Sequence, residues 1–235
     1  MPNKNQGLIL YNKIIRDNNL FIKLLSDDDK ISSGMIYGGN SSKKKLIYQV
    51  GYIIEFHQSQ KNINSINSIN GEISKPFIVN IFNDKFKSFS LLAIISILNT
   101  CLYEGVKING LFQSVKDLII IINNNNHWLS DFCIWLLFLL KLLGYEIKYN
   151  YENNKRYFNL QSLNFEDKYK DKFSLIFPYN LLIKKEKINY ESVNSIFILF
   201  ETIIKQYHLS HYDVKMPENY LNFKKIILNE LNNNE

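Results

Sequence analysis

The residues with the clearest chemical potential form one short run, Gly38-Gly39-Asn40-Ser41-Ser42-Lys43-Lys44-Lys45, directly after a β-prone segment. Glycines let a backbone approach an anion closely and can turn N–H groups outward, and Asn40 and the serines add neutral donors. The lysines supply the charge that releases counterions from phosphates. The run therefore predicts an anion-binding loop, and the alternative is a flexible lysine-rich loop that serves solubility.

Basic and aromatic residues flank this run in the first third of the chain. Arg16 and Lys30 stand in neighbouring turn-like segments, where we expect them to assist the three lysines. Tyr37, Tyr48 and Tyr52 interleave with lysines, as in single-strand binders that combine backbone charge with base stacking, although each ring could instead be packed in the fold. The predicted nucleic-acid-binding residues are Arg16, Lys30, Tyr37, Asn40, Lys43, Lys44 and Lys45.

Motifs of enzyme chemistry are missing from the sequence, which has no Gly-x-Gly-x-x-Gly, P-loop, Gly-x-Ser-x-Gly or Cys-x-x-Cys. His208 and His211 stand three residues apart, without cysteines or an acidic cluster nearby in sequence. Asp27-Asp28-Asp29 lacks the spacing and glycine of a calcium loop and predicts a solvated turn. We expect no catalytic residue, metal or cofactor, and the alternative is an enzyme whose active-site residues meet only in the fold.

Charge and composition narrow the class of protein. The 235 residues are 46% hydrophobic, which predicts a folded chain, and the net charge is +6. Residues 1–80 carry ten Lys and Arg against six Asp and Glu, whereas residues 81–235 carry 18 against 16. Most of the positive excess therefore lies in the first third, which becomes the predicted contact region.

Two buried cysteines, Cys101 and Cys133, indicate a reducing compartment, and the residues after Met1 lack a signal-peptide pattern. The most apolar run, Phe132–Leu143, has 12 residues, whereas a membrane helix needs roughly 20. We expect a cytoplasmic, nucleoid-associated protein without membrane contact.

Hydrophobic periodicity predicts an α+β protein with a domain boundary between residues 79 and 80. Five β-prone runs suit a small closed barrel of the OB type, although a small open sheet is the alternative: Gly7–Ile15, Leu20–Leu25, Ile31–Tyr37, Leu46–Phe56 and Ile69–Ile78. A helical domain follows, with one helix from near residue 80 and others at Gly110–Ile122, Trp128–Leu143, Ser192–Tyr207 and Pro217–Leu231. Tyr145–Leu163 predicts a short inserted β-hairpin with Asn153-Asn154 at its tip.

The order of several short motifs resembles the RecO family of bacterial DNA recombination and repair proteins. The motifs are Gly7-Leu8-Ile9-Leu10, Arg16, Leu24-Leu25-Ser26, Gly34-Met35-Ile36-Tyr37-Gly38-Gly39, Gln49 before Gly51, Glu72-Ile73 leading to Pro76, Trp128–Gly144-Tyr145, Phe200–Leu209 and Met216-Pro217. The resemblance implies an OB-type barrel, residues 1–79, that binds DNA and a helical domain, residues 80–235, that binds partners.

The resemblance also implies a function. RecO-like proteins bind single- and double-stranded DNA, help to anneal complementary strands and, together with RecR, help to load recombinase onto DNA coated by single-strand-binding protein. The resemblance and the apolar richness of residues 80–235 predict that the helical domain binds the acidic C-terminal tail of single-strand-binding protein. The chain departs from the family because Tyr145–Leu163 has no zinc-binding cysteines, and because Arg16 and Arg156 are its only arginines. Lysine lacks the bidentate fork of arginine, so we expect weaker phosphate contact. The alternative to DNA binding is a non-catalytic protein-interaction adaptor that uses the basic loop.

Overall fold

The computed structural model describes residues 5–60, 62, 65–74, 79–149, 156–183, 188–210 and 214–233. The chain forms two compact units, Met1–Asn123 and Asn124–Glu235. The first unit contains all barrel strands together with three helices. The domain boundary predicted between residues 79 and 80 falls inside this unit and stays a prediction about where nucleic-acid binding ends and partner binding begins.

The first unit is built on a closed five-stranded barrel. Its strands are β1 (Asn5–Ile15), β2 (Asn19–Ser26), β3 (Ile31–Ile36), β4 (Ile53–Ser59) and β5 (Ser68–Ile73). Their order around the barrel is β1-β2-β3-β5-β4, and antiparallel pairing of β1 with β4 closes it. The one parallel contact among these strands joins β3 to β5. This architecture confirms the predicted α+β fold with an OB-type barrel at its start.

A buried tyrosine packs into the barrel core where the prediction placed the first part of the fourth strand. The prediction placed a strand from Leu46, but Lys44–Leu46 is a 3-10 helix and β4 begins only at Ile53. Between them, Tyr48 is 1% exposed and packs into the barrel core. Its Oη donates to the Gly71 carbonyl oxygen at 3.0 Å and accepts from the Gly71 amide at 2.9 Å. Burial raises the pKa of this phenol.

The helices agree in position with the sequence periodicity. They are α1 (Val79–Phe82), α2 (Lys85–Cys101) and α3 (Leu111–Asn124) in the first unit, then α4 (Leu129–Leu142), α5 (Tyr179–Leu182), α6 (Tyr190–Ile203) and α7 (Glu218–Asn233) in the second. A π-helix, Ile204–His208, extends α6. The second unit packs around α4, where Phe132, Leu136 and Leu139 are fully buried. Within the described ranges, none of the helices has the length and apolar content to cross a membrane.

A small sheet interrupts the helices of the second unit. It consists of β6 (Tyr157–Asn159), β7 (Asn164–Glu166) and β8 (Ser174–Ile176) in the order β7-β6-β8. The predicted β insertion therefore exists, but its position was wrong, because residues 145–149 are not in a strand and the first turn is at residues 160–163. The predicted tip, Asn153-Asn154, lies outside the described residues. Phe158 and Phe165, with ring centroids 5.0 Å apart, anchor the true hairpin.

The acidic turn between β2 and β3 is a helix cap. Asp29 accepts hydrogen bonds from the Gly110 amide at 2.8 Å and from the Phe112 amide at 2.9 Å, at the N-terminus of α3. A carboxylate in this position satisfies amides that the helix leaves unpaired and complements the helix dipole. The prediction of a merely solvated turn was wrong for Asp29, which joins the barrel to α3 within the first unit.

We predict that Asp29→Gly lowers the free energy of unfolding by about 1–2 kcal/mol, because it removes both capping bonds. Glycine keeps the backbone relaxed at the observed φ of +66°, so the change tests the carboxylate alone. Asp29→Asn retains one acceptor oxygen and is expected to lose less. Urea unfolding followed by circular dichroism measures both variants, and a glycine variant as stable as the parent would contradict the capping role.

Candidate nucleic-acid interface

The lysine loop, residues 37–46, follows β3 and is held against the barrel by its glycines. Gly38 has a φ of +62°, which favours glycine. A Cβ on Gly39 would lie only 2.7 Å from the Leu20 Cβ, so a larger residue there would push the loop away from β2. The loop then enters the 3-10 helix that contains Lys44 and Lys45.

The backbone amides at the start of the lysine loop face inward. Four consecutive N–H groups donate to acceptors of the protein itself: Gly38 to Asn19 Oδ1 at 3.0 Å, Gly39 to the Ile36 carbonyl at 3.1 Å, Asn40 to the Asn18 carbonyl at 3.0 Å, and Ser41 to the Gly38 carbonyl at 3.2 Å. The expectation that glycine-rich backbone turns these amides toward an anion is therefore wrong. The charge that the loop offers to a ligand comes from its lysine side chains.

The lysines and Arg16 share one end of the barrel. Lys43 and Lys45 are exposed, whereas Lys44 is half-buried and its Nζ donates to the Tyr37 carbonyl oxygen at 2.9 Å. Arg16 is exposed in the β1–β2 turn, the same turn whose Asn18 carbonyl binds the loop. The structure thus brings the predicted residues other than Lys30 to the same end of the barrel, and the Asn40 amide joins the lysine loop to the β1–β2 turn.

Lys30 lies at the opposite end of the barrel. It follows the β2–β3 turn, where its carbonyl oxygen accepts from the Ser26 amide at 2.9 Å, and it forms an isolated β-bridge with Lys107. The eight residues of β2 separate this turn from the lysine loop by about 25 Å. The expectation that Lys30 assists the lysine loop therefore does not agree with the geometry.

The three predicted stacking tyrosines differ in accessibility. Tyr37 is 56% exposed, and its carbonyl oxygen accepts from Lys44, so its ring is accessible to a base in the lysine loop. Tyr48 is buried in the barrel core and cannot stack on a ligand. Tyr52 is half-buried, with its ring centroid 6.1 Å from that of Phe82. Of the three, Tyr37 keeps the predicted role.

Sequence reasoning missed a second surface, the outer barrel face of β1, β2 and β3. Residues directly opposite each other on paired strands point to the same face of the sheet. Two rows of such residues across β1, β2 and β3 point away from the barrel core. The rows are Lys13–Phe21–Met35 and Tyr11–Lys23–Ser33. Tyr11 and Lys13 are exposed and the other four are half-buried. A signal was present in the sequence, because an aromatic residue stands two positions before a lysine in both β1, with Tyr11 and Lys13, and β2, with Phe21 and Lys23.

One acidic side chain lies at the edge of the outer barrel face. Glu104 Oε1 accepts from the Ser33 hydroxyl at 2.6 Å. Burial lowers the pKa of Lys23, and the nearby Glu104 carboxylate opposes that shift. A partly desolvated lysine is less screened than an exposed one, so it gains more from a bound phosphate.

The second unit carries an apolar groove beside α4, which we call the α4 groove. Its volume is about 400 Å³, and it is lined by Ile134, Leu137, Phe138, Lys141, Glu146, Ile147, Lys148 and Tyr149. Phe138 is 41% exposed, a large fraction for an aromatic ring. Lys141 and Lys148 give its rim positive charge, and Lys141 pairs with Glu146 at 2.7 Å. The hydrogen bond from Lys141 lowers the pKa of Glu146.

Nucleophiles and metal ligands do not converge in the described part of the chain. Burial raises the pKa of Cys101 to about 12 and shifts that of Cys133 further in the same direction, so both thiols stay protonated at neutral pH. No group of three or more His, Cys, Asp and Glu residues among those the structure describes could hold a metal ion. His208 Nδ1 lies 3.5 Å from Tyr145 Oη, and His211 is outside the described residues.

No protein-family model matches the chain. Individual relatives do match. A DNA repair protein RecO of Orientia tsutsugamushi is 26% identical over 144 residues, which are 61% of this chain and 60% of that protein. Proteins of the same name from Rickettsia canadensis and Rickettsia akari are each 26% identical, over 87% and 97% of this chain and 88% and 98% of their own lengths. These relatives confirm the resemblance to the RecO family that the order of the motifs predicts.

Proposed function

We propose that this protein is a non-catalytic DNA repair and recombination factor that binds single- and double-stranded DNA through its barrel. It would promote annealing of complementary strands. With a RecR-like protein, it would also promote the loading of recombinase. It would act in the bacterial cytoplasm, at the nucleoid. The observation that carries the proposal is the gathering of Arg16, Tyr37 and the three lysines at one end of a closed OB-type barrel. The repair role named for the relatives agrees with it.

The chemistry of the barrel suits phosphate and base contact together. Exposed lysines provide counterion release, and Tyr37 provides a face on which any base can stack. The outer barrel face extends this combination, since it places Lys13 beside Phe21 and Tyr11 beside Lys23. In OB-folds, the strand 2–3 face and the adjoining loops are where oligonucleotides bind. Lysines contact phosphates and tyrosine rings stack on any base, so we expect little sequence preference.

A protein-interaction adaptor is the second candidate function. The same lysine loop could contact an acidic protein segment, but such a segment would leave the exposed ring of Tyr37 without a stacking partner. Salt dependence of oligonucleotide binding separates the two functions, because only DNA binding gives a log–log slope set by released counterions.

We further propose that the α4 groove receives the acidic C-terminal tail of single-strand-binding protein. Such tails end in hydrophobic residues after acidic ones, so they require an apolar groove with a cationic rim. Ile134, Phe138 and Ile147 supply the apolar lining, and Lys141 and Lys148 supply the charge. A small number of buried contacts in such a groove carries most of the binding energy.

Replacing Lys43, Lys44 and Lys45 with alanine is expected to weaken DNA binding. It should also flatten the log–log salt slope for single-stranded DNA by up to about two units, because each phosphate contact contributes roughly 0.7 to the slope. Fluorescence anisotropy of a labelled oligonucleotide across a salt series measures both. The matched control replaces three other exposed lysines, Lys85, Lys215 and Lys225. Equal salt slopes for the two triple variants would contradict phosphate binding by the lysine loop and would favour the alternative role in solubility.

Tyr37→Ala is expected to weaken binding of single-stranded DNA by about 1–3 kcal/mol, the range for loss of one stacked base, and to affect duplex binding less. Tyr37→Phe keeps the ring and should bind like the parent. Neither change touches the Tyr37 carbonyl that accepts from Lys44, so the loop conformation is preserved. Anisotropy titrations with a single strand and its duplex provide the comparison, and equal affinities of the alanine and phenylalanine variants would exclude stacking.

Phe138→Ala is expected to weaken binding of a peptide with acidic residues and an apolar C-terminal end about tenfold or more, because it removes the most exposed ring of the α4 groove. Leu221→Ala is the matched control, since Leu221 is 40% exposed on α7, outside the groove lining. Isothermal titration calorimetry measures both variants. Failure of the parent protein to bind the peptide would refute the assignment of this groove.

A further inference from the structure

Acidic side chains at the end of β7 and in the connection between β7 and β8 hydrogen-bond this connection to itself and to the small sheet. Glu166 is 9% exposed and accepts from Lys170 Nζ at 2.9 Å and from the Ser174 hydroxyl at 3.3 Å. The Oδ1 atom of Asp171 accepts from Asn159 Nδ2 at 3.3 Å. Hydrogen bonds to charged groups are stronger than those between neutral groups, so this network fixes the connection on the sheet.

The same connection, which we call the 167–173 loop, presents lysines and rings outward. Tyr169 is 60% exposed, and its ring lies at 75° to that of Tyr157 with the two centroids 6.1 Å apart, so a large part of Tyr169 is open to solvent. Lys168 and Lys172 are exposed, and Lys172 Nζ lies 5.2 Å from the centroid of the exposed Phe173 ring. The loop contains three lysines and two aspartates, all exposed, and the Asp171 carboxylate accepts hydrogen bonds from Asn159 Nδ2 at 3.3 Å and from the Phe173 amide at 2.8 Å.

We propose that the 167–173 loop is a second contact for single-stranded DNA, in the second unit and separate from the barrel interface. Tyr169 stacks on a base, and Lys168 and Lys172 contact the flanking phosphates. The inference rests on the proposed function, because annealing brings two strands together and a second contact would help to hold the second strand. Asp167 is also exposed in this loop. An acidic peptide would meet the same lysines but has no base to stack on Tyr169.

Photo-crosslinking of the full chain to a short single strand containing 5-iodouracil tests the proposal. Peptide mapping by mass spectrometry should find the DNA attached to Tyr169 or Phe173, in addition to aromatic residues of the barrel. The triple variant Lys168→Gln, Tyr169→Ala and Lys172→Gln should lose the crosslink in this loop. We expect it to anneal complementary strands about tenfold more slowly, while it binds one short strand nearly as the parent does.

The control Lys215→Gln and Lys225→Gln removes two exposed lysines of the same unit and should anneal like the parent. Tyr169→Phe should retain both the crosslink and the annealing rate, and circular dichroism checks that each variant folds. Absence of a crosslink in residues 167–173 of the parent, or parental annealing by the triple variant, would overturn this inference and leave the barrel interface standing. A parent protein that binds no DNA would overturn the proposed function and this inference together.

Discussion

Closure of the barrel through β1 is the constraint on which the proposed interface depends. Gly7 pairs with Ser26 of β2 and with Ile54 of β4, so the two ladders overlap at this residue. A Cβ on Gly7 would lie 2.8 Å from Leu24 Cδ1 and 2.9 Å from Phe56 Cε1, so a larger residue would displace these two core side chains. The register shift after Ile9 bends the strand further. Closure buries one face of every strand and thereby fixes which lysines and rings point outward.

The parts of the fold that local periodicity controls could be predicted from the sequence. Four of the five β-prone runs match strands, and the helices α3, α4, α6 and α7 begin within a few residues of the predicted positions. The run from Leu46 was misjudged because its apolar residues alternate as in a strand, whereas Tyr48 turns inward to reach Gly71. The predicted position of the inserted sheet was wrong because its strands have three residues each, too few for an alternation of polar and apolar residues to be recognised.

The features of the fold and of the candidate site that depend on residues distant in sequence could not be predicted from local sequence patterns. Asp29 looked like one of three solvated acids because its partners, the amides of Gly110 and Phe112, lie about eighty residues away in the sequence. The lysines of the lysine loop are adjacent in sequence, but two of the loop's amides are paired with Asn18 and Asn19 from another turn, which the local sequence does not show. The pairing register was equally needed to see that alternate residues of β1 and β2 form one surface.

The inward amides of the lysine loop have a kinetic consequence. Because these N–H groups already have acceptors, the backbone is ordered before any ligand arrives, and a strand would meet mainly the mobile ends of lysine side chains. Lysine contacts of this kind form and break individually. They do not require the fixed geometry that an arginine guanidinium or a cluster of backbone amides imposes on a bound phosphate. A strand held in this way would have a short residence time. Rapid release is what a factor that passes strands from one partner to another requires.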